Sequence, residues 1–280
     1  MTKEKGERYI LHGVEVVVIY FAIFSVIGWA CEVVYCSILS KKLVNRGFLA
    51  GPVCPVYGFG ALLVIWLLKP VSASIPIVFL SGIVVTSTLE YITGWLLEVL
   101  FSTRWWDYRN KKFNIDGRVC LQNSVFFGVL CVILMKVIFP FTVNIVALLP
   151  DLSIKLISSA LAAAFIIDGI FTVNTFINLY ERLKKLQELT EYLKKNTDIH
   201  GWFNESDFYK SFERLKLIAE ESKNELNNKL REKFESLTAK KGSGIRLLKA
   251  FPNMKSINYN SQLNHLKEVL IELKQRTRIK

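Results

Sequence analysis

Long apolar stretches, separated by short polar connectors, fill the first 180 residues of the chain. A helix needs about 20 apolar residues to cross a bilayer, where its backbone groups must be satisfied internally. Five stretches approach or exceed this length, at residues 14–38, 53–69, 75–101, 124–149 and 154–180. The second is short and carries Pro55 in its first turn. The pattern predicts an all-α integral membrane protein with five transmembrane helices.

The period of the apolar residues changes from Glu181 onward, where they recur every three or four positions with charged residues between them. This period predicts amphipathic helices rather than further spans. One helix continues directly from the fifth span, a second begins near Glu205, and a third lies around residues 263–273. Breaks are expected at residues 196–204 and 240–244, which contain glycine.

These patterns divide the chain into a transmembrane domain at residues 1–180 and a cytoplasmic helical or coiled-coil tail at residues 181–280. Apolar stripes on such helices mostly pack on one another. They also permit a homo-oligomer through the tail or the recruitment of a cytoplasmic partner. The basic segment at residues 246–251 has a second interpretation, in which it lies on anionic lipid.

Lysine and arginine residues are unevenly distributed between the two ends of the spans. Cytoplasmic loops of membrane proteins are enriched in these residues. The connectors after the first and third spans and the segment after the fifth carry most of them, namely Lys41, Lys42, Arg46, Arg104, Arg109, Lys111, Lys112, Arg118, Arg182, Lys184, Lys185, Lys194 and Lys195. We therefore expect a plasma-membrane protein with its N-terminus outside and its tail cytoplasmic, although Lys3, Lys5 and Arg8 favour the opposite orientation.

Composition excludes several classes of function. Of the 280 residues, 51% are hydrophobic and 21% are charged, which is too apolar for a soluble enzyme of this length. The net charge of +12 comes without a nucleic-acid recognition motif, so we expect membrane lipids and not nucleic acid as the partner.

Candidate chemistry for catalysis is also missing from the sequence. The five cysteines form no CxxC pair, and the three histidines have no metal-ligand spacing. Neither a GxSxG motif nor a glycine-rich phosphate loop occurs. We therefore expect no enzyme activity, no catalytic residue, no metal and no cofactor.

A short motif is repeated along the chain. The sequence GWACEV at residues 28–33 recurs as GWLLEV at residues 94–99. NRGFL and VYG follow the first copy, whereas NIDGR and FFG follow the second. The match predicts that spans one and two form a helical hairpin that spans three and four repeat in the same direction. Because GWxxE has only three fixed letters, a chance match is the alternative.

The repeat places Glu32 and Glu98 inside the hydrocarbon, where a carboxylate is costly unless it is paired. Arg46 follows the first acid, and Arg104 or Arg118 follows the second. Arginine offers a bidentate partner to a carboxylate or a phosphate. Two such pairs would line a polar vestibule at the cytoplasmic mouth and form a ligand path. The alternative is that the glutamates fasten the loops to the helices.

The connector after the third span contains an aromatic cluster, with Trp105, Trp106, Asp107 and Tyr108 directly after Arg104. Indole rings favour the level of the lipid headgroups, so these residues are expected to anchor the connector in the interface. Cation–π contact with a bound headgroup or substrate is the alternative.

Three ionisable residues lie deeper in the spans. Counted from the cytoplasmic ends of the fourth and fifth spans, Lys136 and Asp168 share one depth, with Glu90 of the third span at nearly the same level. We expect an intramembrane ion pair between Lys136 and Asp168. A static pair that fixes helix register and a proton or ion relay are the two interpretations.

The chain resembles a family of bacterial integral membrane proteins called ABC-transporter type IV, or the CmpB family. The resemblance lies in GW with Glu32, NRGFL with GP and PVYG at residues 45–58, EY at residues 90–91, Glu98, RWWDY at residues 104–108 and NIDGRVCL at residues 114–121. It covers about residues 15–150, and the pairing of RWWDY with NxxGR is specific. A weaker resemblance to the cytoplasmic extension of some members includes KAFP at residues 249–252.

The resemblance implies a transport component, similar to an ABC-transporter permease, that works with a separate ATPase subunit. The chain shows no clear coupling helix, which a permease would use to contact its ATPase. The alternative is therefore a membrane scaffold or sensor whose cytoplasmic helical tail recruits partners.

Overall fold

The computed structural model describes residues 13–41, 45–195 and 244–276. Its helices are α1 (Val14–Ser40), α2 (Pro55–Leu68), α3 (Ile75–Phe101), α4 (Leu121–Ile133), α5 (Phe139–Ala147), α6 (Asp151–Lys195), α7 (Ile245–Ala250) and α8 (Asn260–Arg276). Its strands are β1 (Thr103–Arg104), β2 (Asn114–Ile115), β3 (Val119–Cys120) and β4 (Lys255–Ser256). The chain is therefore mostly helical, as its apolar pattern predicts.

Within the part of the chain that the structure describes, four helical segments are long and apolar enough to cross a membrane, at Val14–Ile38, Ile75–Phe101, Leu121–Ala147 and Asp151–Glu188. The second predicted span is a shorter apolar segment, in which α2 continues as a 3-10 turn at Lys69–Val71. Proline limits it at both ends, because Pro55 suits the first turn of a helix and Pro70 interrupts the ladder near its end.

The segment Leu121–Ala147 joins α4 and α5 through a π-helical turn at Leu134–Ile138. Pro140 lies in the first turn of α5 and has no N–H to donate to the preceding turn. Single π-turns accommodate this kind of local mismatch within a continuous helix. The turn changes the helical register at Lys136.

Helices α1 and α2 pack as one hairpin, and α3 and α4 pack as a second. In each hairpin a glycine lies where the two helices are in close contact. A Cβ added at Gly58 would lie 2.7 Å from the backbone oxygen of Phe21, and one added at Gly128 would lie 2.7 Å from Ile83. These glycines end the VYG and FFG segments of the repeat, so the two hairpins use the same packing device.

Two compact units make up the chain, and α6 contributes to both. The first unit comprises the residues up to Phe101 and Trp105–Thr172. Its core is apolar and lies at the end of the helices opposite the two GWxxE segments. The buried residues there include Tyr20, Phe24, Val64, Ile65, Leu68, Val78, Met135, Phe139 and Val146.

The second unit combines Ser102–Arg104 with the chain from Val173 onward. Strand β1 pairs antiparallel with β4, so that Thr103 lies opposite Ser256. The apolar faces of α6, α7 and α8 bury Leu179, Leu183, Leu186, Leu247, Leu248, Leu263 and Leu266. Residues 246–250 thus pack on tail helices. The predicted second tail helix near Glu205 and the breaks at residues 196–204 and 240–243 lie outside the described residues, and the coiled coil stays a prediction.

The buried His265 makes the second unit sensitive to acid. It is 2% exposed, and burial lowers its pKa to about 4 from an ordinary value of 6.5. Below pH 6.5 the unfolded segment takes up a proton that the folded segment resists, so stability is complete above this pH and is lost toward pH 4. We expect a loss of about 2 kcal/mol at about pH 5.

Limited proteolysis of the protein at about pH 7.5 and about pH 5, followed at residues 244–276, measures this loss. Cleavage within residues 244–276 should accelerate at the lower pH. The variant His265→Gln cannot titrate and should show a weaker pH dependence. Equal acceleration in both proteins would contradict a role for His265.

Candidate functional site

The first GWxxE segment binds the connector that follows it. Arg46 Nε lies 3.3 Å from Glu32 Oε1, and about a fifth of each side chain is exposed. The phenol of Tyr57 donates a hydrogen bond to the same carboxylate. Trp29 Nε1 donates to Asn45 Oδ1 at 2.8 Å. The last turns of α1 thus hold both ends of the connector that leads to α2.

The second GWxxE segment repeats this arrangement with a longer connector. Arg118 NH2 lies 2.9 Å from Glu98 Oε2, and NH1 lies 3.2 Å from Asp116 Oδ2. The guanidinium also stacks 5.3 Å from the ring centre of Tyr91. The side chains of Glu98 and Arg118 are 14% and 15% exposed, so this pair is largely shielded from its surroundings. Of the two arginines that follow Glu98, Arg118 thus forms an ion pair with it.

Arg104, the other arginine that follows Glu98, lies in a short strand. It forms β1 with Thr103, and its residue partner across the strands is Lys255. The first unit resumes at Trp105, so the strand places Arg104 with the tail segment.

The aromatic cluster after Arg104 faces protein rather than lipid. Trp105 is 4% exposed and packs edge to face on Phe48 and Phe101. Trp106 Nε1 donates to the Arg118 carbonyl oxygen at 2.8 Å. The prediction of an interfacial anchor is therefore wrong for Trp105, whose ring joins the two connectors.

Asp107 stabilises the β2–β3 hairpin from within. Its Oδ1 accepts a hydrogen bond from the Arg109 backbone at 3.1 Å. Tyr108 N–H donates to the Gly117 carbonyl oxygen at 2.8 Å. Gly117 has a left-handed φ of +69°, and an added Cβ would lie 2.8 Å from Asp107 Oδ1. Asp107 is therefore a turn residue of the hairpin that carries Arg118.

Glu90 joins the first ion pair to form what we call the central polar cluster, composed of Glu32, Arg46, Tyr57, Glu90 and Tyr108. Tyr108 Oη donates to Glu90 Oε1 at 3.2 Å. The Glu32 carboxylate lies close enough to interact electrostatically with Tyr57, Glu90 and Tyr108. Connector and helix residues from both hairpins thus meet around two carboxylates.

The charges of the central polar cluster do not balance. It holds the two carboxylates Glu32 and Glu90 and the single guanidinium of Arg46. Burial, followed by the charge of Glu90, raises the pKa of the connector residue Tyr108 well above its ordinary value, so its phenol remains a donor at neutral pH. A carboxyl group in excess of the guanidinium groups favours a proton or a cation over an anion at such a site.

The expected ion pair of Lys136 with Asp168 is wrong. Lys136 Nζ donates to the Ala73 carbonyl oxygen at 3.3 Å, whereas Asp168 accepts hydrogen bonds from the N–H groups of Ala50 and Gly51, each at 2.8 Å. Glu90 does not join them either, because it lies in the central polar cluster.

Helix length explains this error. Helix α6 continues to Lys195 without interruption, so the end of the apolar stretch does not mark its depth. Counted from the short turn between α5 and α6, Lys136 lies about 17 Å away and Asp168 about 26 Å away, at 1.5 Å per residue. The two residues differ in depth by roughly two helical turns.

Asp168 instead holds the first connector. Its two oxygens bind adjacent backbone N–H groups, and Thr172 Oγ1 donates to Oδ1 at 3.2 Å. Hydrogen bonds to a carboxylate are stronger than those between neutral groups. This contact fixes the part of the connector between Arg46 and α2.

Replacing Asp168 with alanine should loosen this connector, because the N–H groups of Ala50 and Gly51 lose their acceptor. A hydrogen bond to a charged group contributes about 1.5–3 kcal/mol, so exchange of these two amides should accelerate by about tenfold or more. Hydrogen exchange with mass spectrometry measures this. Lys136→Ala is the matched control and should leave both amides protected, whereas unchanged exchange in Asp168→Ala would contradict the assignment.

Sequence reasoning missed the hydroxyl groups of the central polar cluster. Tyr57 corresponds to Phe127 in the repeat, and Glu90 corresponds to Phe24. At each of these two positions, one copy of the repeat has a polar group where the other copy has phenylalanine. This asymmetry between the copies was the available signal, and it would also have separated Glu90 from Lys136.

A metal site is not evident in this region. Within the described ranges, no three or more His, Cys, Asp or Glu side chains are grouped so as to hold a metal ion. The chemistry available to the central polar cluster is therefore ion pairing and hydrogen bonding by carboxylate, guanidinium and phenol groups.

Long apolar helices with acids paired inside them define a helical integral membrane protein. The chain belongs to the family described as putative ABC-transporter type IV, whose family model matches residues 19–173. The match covers more than half of the chain and includes both GWxxE segments, the two connectors and Asp168. No curated protein and no solved structure is significantly similar to this chain.

Proposed function

We propose that this chain is the membrane subunit of a transporter and has no ATPase of its own. The observation that carries the proposal is the central polar cluster, which puts two acids and one arginine among helices of a membrane protein. Ionisable residues within membrane helices usually mark a substrate or ion path. Membership in an ABC-transporter-related family supports the same conclusion.

A five-span arrangement suits this function. In our proposal α2 crosses the membrane with the four longer segments, and the two GWxxE hairpins run in parallel. Both connectors then lie on the cytoplasmic face, with the N-terminus outside, in accordance with the positions of the lysines and arginines. Labelling of cysteines placed at Arg109 and Leu148, in a chain without native cysteines, tests the orientation. Position 109 should react only from the cytoplasm and position 148 only from outside.

A separate ATPase subunit would supply the energy, because the sequence has no glycine-rich phosphate loop. We expect the full chain, purified in a mild detergent, to retain a subunit with a Walker A motif. The complex in bilayers should hydrolyse ATP. Glu32→Gln should remove most of this activity while the protein stays in the membrane, whereas Glu15→Gln in the exposed first turn of α1 should not.

A membrane scaffold is the second candidate, and the continuous helix α6 favours it. This helix extends from an apolar segment into a charged one without a break, so it could carry tail contacts directly to the spans. Deletion of residues 181–280 would then abolish function, and Glu32→Gln would have no effect. Retention of activity in Glu32→Gln together with the absence of an ATPase would overturn the transport proposal.

A further inference from the structure

The segment at residues 109–115 leads into the β2–β3 hairpin and includes β2; we call it the hairpin tip. It combines Arg109, Lys111 and Lys112 with two apolar residues that are unusually exposed. Phe113 is 78% exposed and Ile115 is 61% exposed. Exposed apolar residues beside lysines are typical of surfaces that enter the interface of an anionic membrane.

The hairpin tip has a fixed shape. Asn114 Nδ2 donates to the carbonyl oxygens of Lys111 and Arg109 at 2.8 and 3.3 Å, and its Oδ1 accepts from Gly117 N–H at 3.2 Å. Phe113 has a φ of +53°, a left-handed conformation that is unfavourable for an aromatic residue. The hairpin therefore holds the Phe113 ring outward against its own backbone preference.

The height of Phe113 relative to the spans is also fixed. Its carbonyl oxygen accepts a hydrogen bond from Leu121 N–H at 3.3 Å, and Leu121 is the first residue of α4. Helix α4 begins the third long apolar segment, and Leu121 and Phe126 in its first two turns are also exposed. Phe113 thus lies at the level where a span enters the headgroups, the level that aromatic rings favour.

The charge of the hairpin tip selects the kind of lipid. Asp107 lies 3.8 Å from Arg109, and Asp116 is bound by Arg118, so neither acid opposes the two lysines. Lys111 Nζ donates a hydrogen bond to a neutral oxygen, Gln122 Oε1, at 3.5 Å. Two uncompensated ammonium groups next to an interfacial ring complement an anionic headgroup.

We propose that the hairpin tip is a docking surface for anionic phospholipid, in which Phe113 and Ile115 enter the headgroup region and Lys111 and Lys112 contact phosphate. This surface is independent of the proposed transport function. It differs from the cluster of Trp105 and Trp106, whose side chains are used inside the protein.

Fluorescence quenching by brominated lipid tests the proposal. The variant Phe113→Trp, in the full chain, is reconstituted in bilayers of phosphatidylcholine with or without phosphatidylglycerol, and the signal of the unmodified chain is subtracted. We expect quenching of the added tryptophan to be stronger with phosphatidylglycerol. Adding Lys111→Gln and Lys112→Gln should remove most of this increase. Circular dichroism melting of each variant verifies that the chain remains folded.

Leu148→Trp is the matched control. Leu148 is 84% exposed beyond α5 and precedes Asp151 rather than lysine. Its quenching should not depend on phosphatidylglycerol. Quenching of Phe113→Trp that is equal in both bilayers, or unaffected by the lysine substitutions, would overturn the proposal. Absence of quenching in either bilayer would do so as well and would indicate a protein partner at the hairpin tip.

Discussion

Replacing Gly28 with alanine should destabilise the first hairpin. The loss of stability should exceed that caused by alanine at Gly94, the glycine of the second GWxxE segment. The added Cβ would overlap Tyr57 Cβ and Cγ, which lie near the α2 backbone and cannot rotate away. Forced separation of closely packed helices costs about 1–3 kcal/mol. Tyr57 would also be displaced from Glu32, so the central polar cluster should lose a hydrogen bond donor.

Two other glycines provide control substitutions for this prediction. An added Cβ at Gly94 would lie 3.2 Å from Trp106 Cζ2, the far end of a side chain that can shift, so Gly94→Ala should have a smaller effect. At Gly169 nothing lies within 4 Å, and alanine should be neutral or stabilise α6 by up to about 1 kcal/mol. Thermal unfolding in detergent measures the order. A Gly28→Ala protein as stable as Gly169→Ala would contradict the packing described.

Replacing Arg118 with alanine should be the most damaging loss of a single charge. Its guanidinium binds Glu98 and Asp116 and stacks on Tyr91. Asp116 is 60% exposed and can be hydrated, but Glu98 is 14% exposed and would lose this guanidinium in a largely buried position. Breaking a buried pair in this way costs about 3–5 kcal/mol.

Arg109 provides the control for this loss, because the same hairpin carries it. Its side chain is 60% exposed and lies 3.8 Å from Asp107, so Arg109→Ala should cost less than about 1 kcal/mol. Arg118→Lys keeps the charge but loses the bidentate geometry, and an intermediate loss is expected. Urea or thermal unfolding in detergent measures all three. Equal effects of Arg118→Ala and Arg109→Ala would contradict the central position of Arg118.

The membrane class and the need of the two GWxxE acids for arginine partners could be predicted because they depend on local sequence. Apolar length alone indicated the four long segments, and the cost of an acid in lipid indicated that Glu32 and Glu98 need arginine partners. The pairing of Arg118 with Glu98 could not be predicted. It depends on the β2–β3 hairpin, which carries Arg118.

The depth of an ionisable residue within the spans was harder to predict than its presence there. Counting residues from the end of an apolar stretch placed Lys136 beside Asp168, but α6 has no end there and a π-turn shifts the register of Lys136. Tertiary contacts also gave Asp168 a backbone partner rather than a charged one. Pairing across helices follows from helix ends and connectors, which periodicity does not locate.

Double-mutant cycles on the two ion pairs test most directly whether each GWxxE acid is neutralised by the arginine of its own connector. The variants Glu32→Gln, Arg46→Gln, Glu98→Gln and Arg118→Gln are measured singly and in pairs by unfolding in detergent. We predict coupling of about 1–3 kcal/mol for Glu32 with Arg46 and for Glu98 with Arg118, and additive effects for Glu32 with Arg118. Effects that add within about 0.5 kcal/mol for both native pairs would contradict the account.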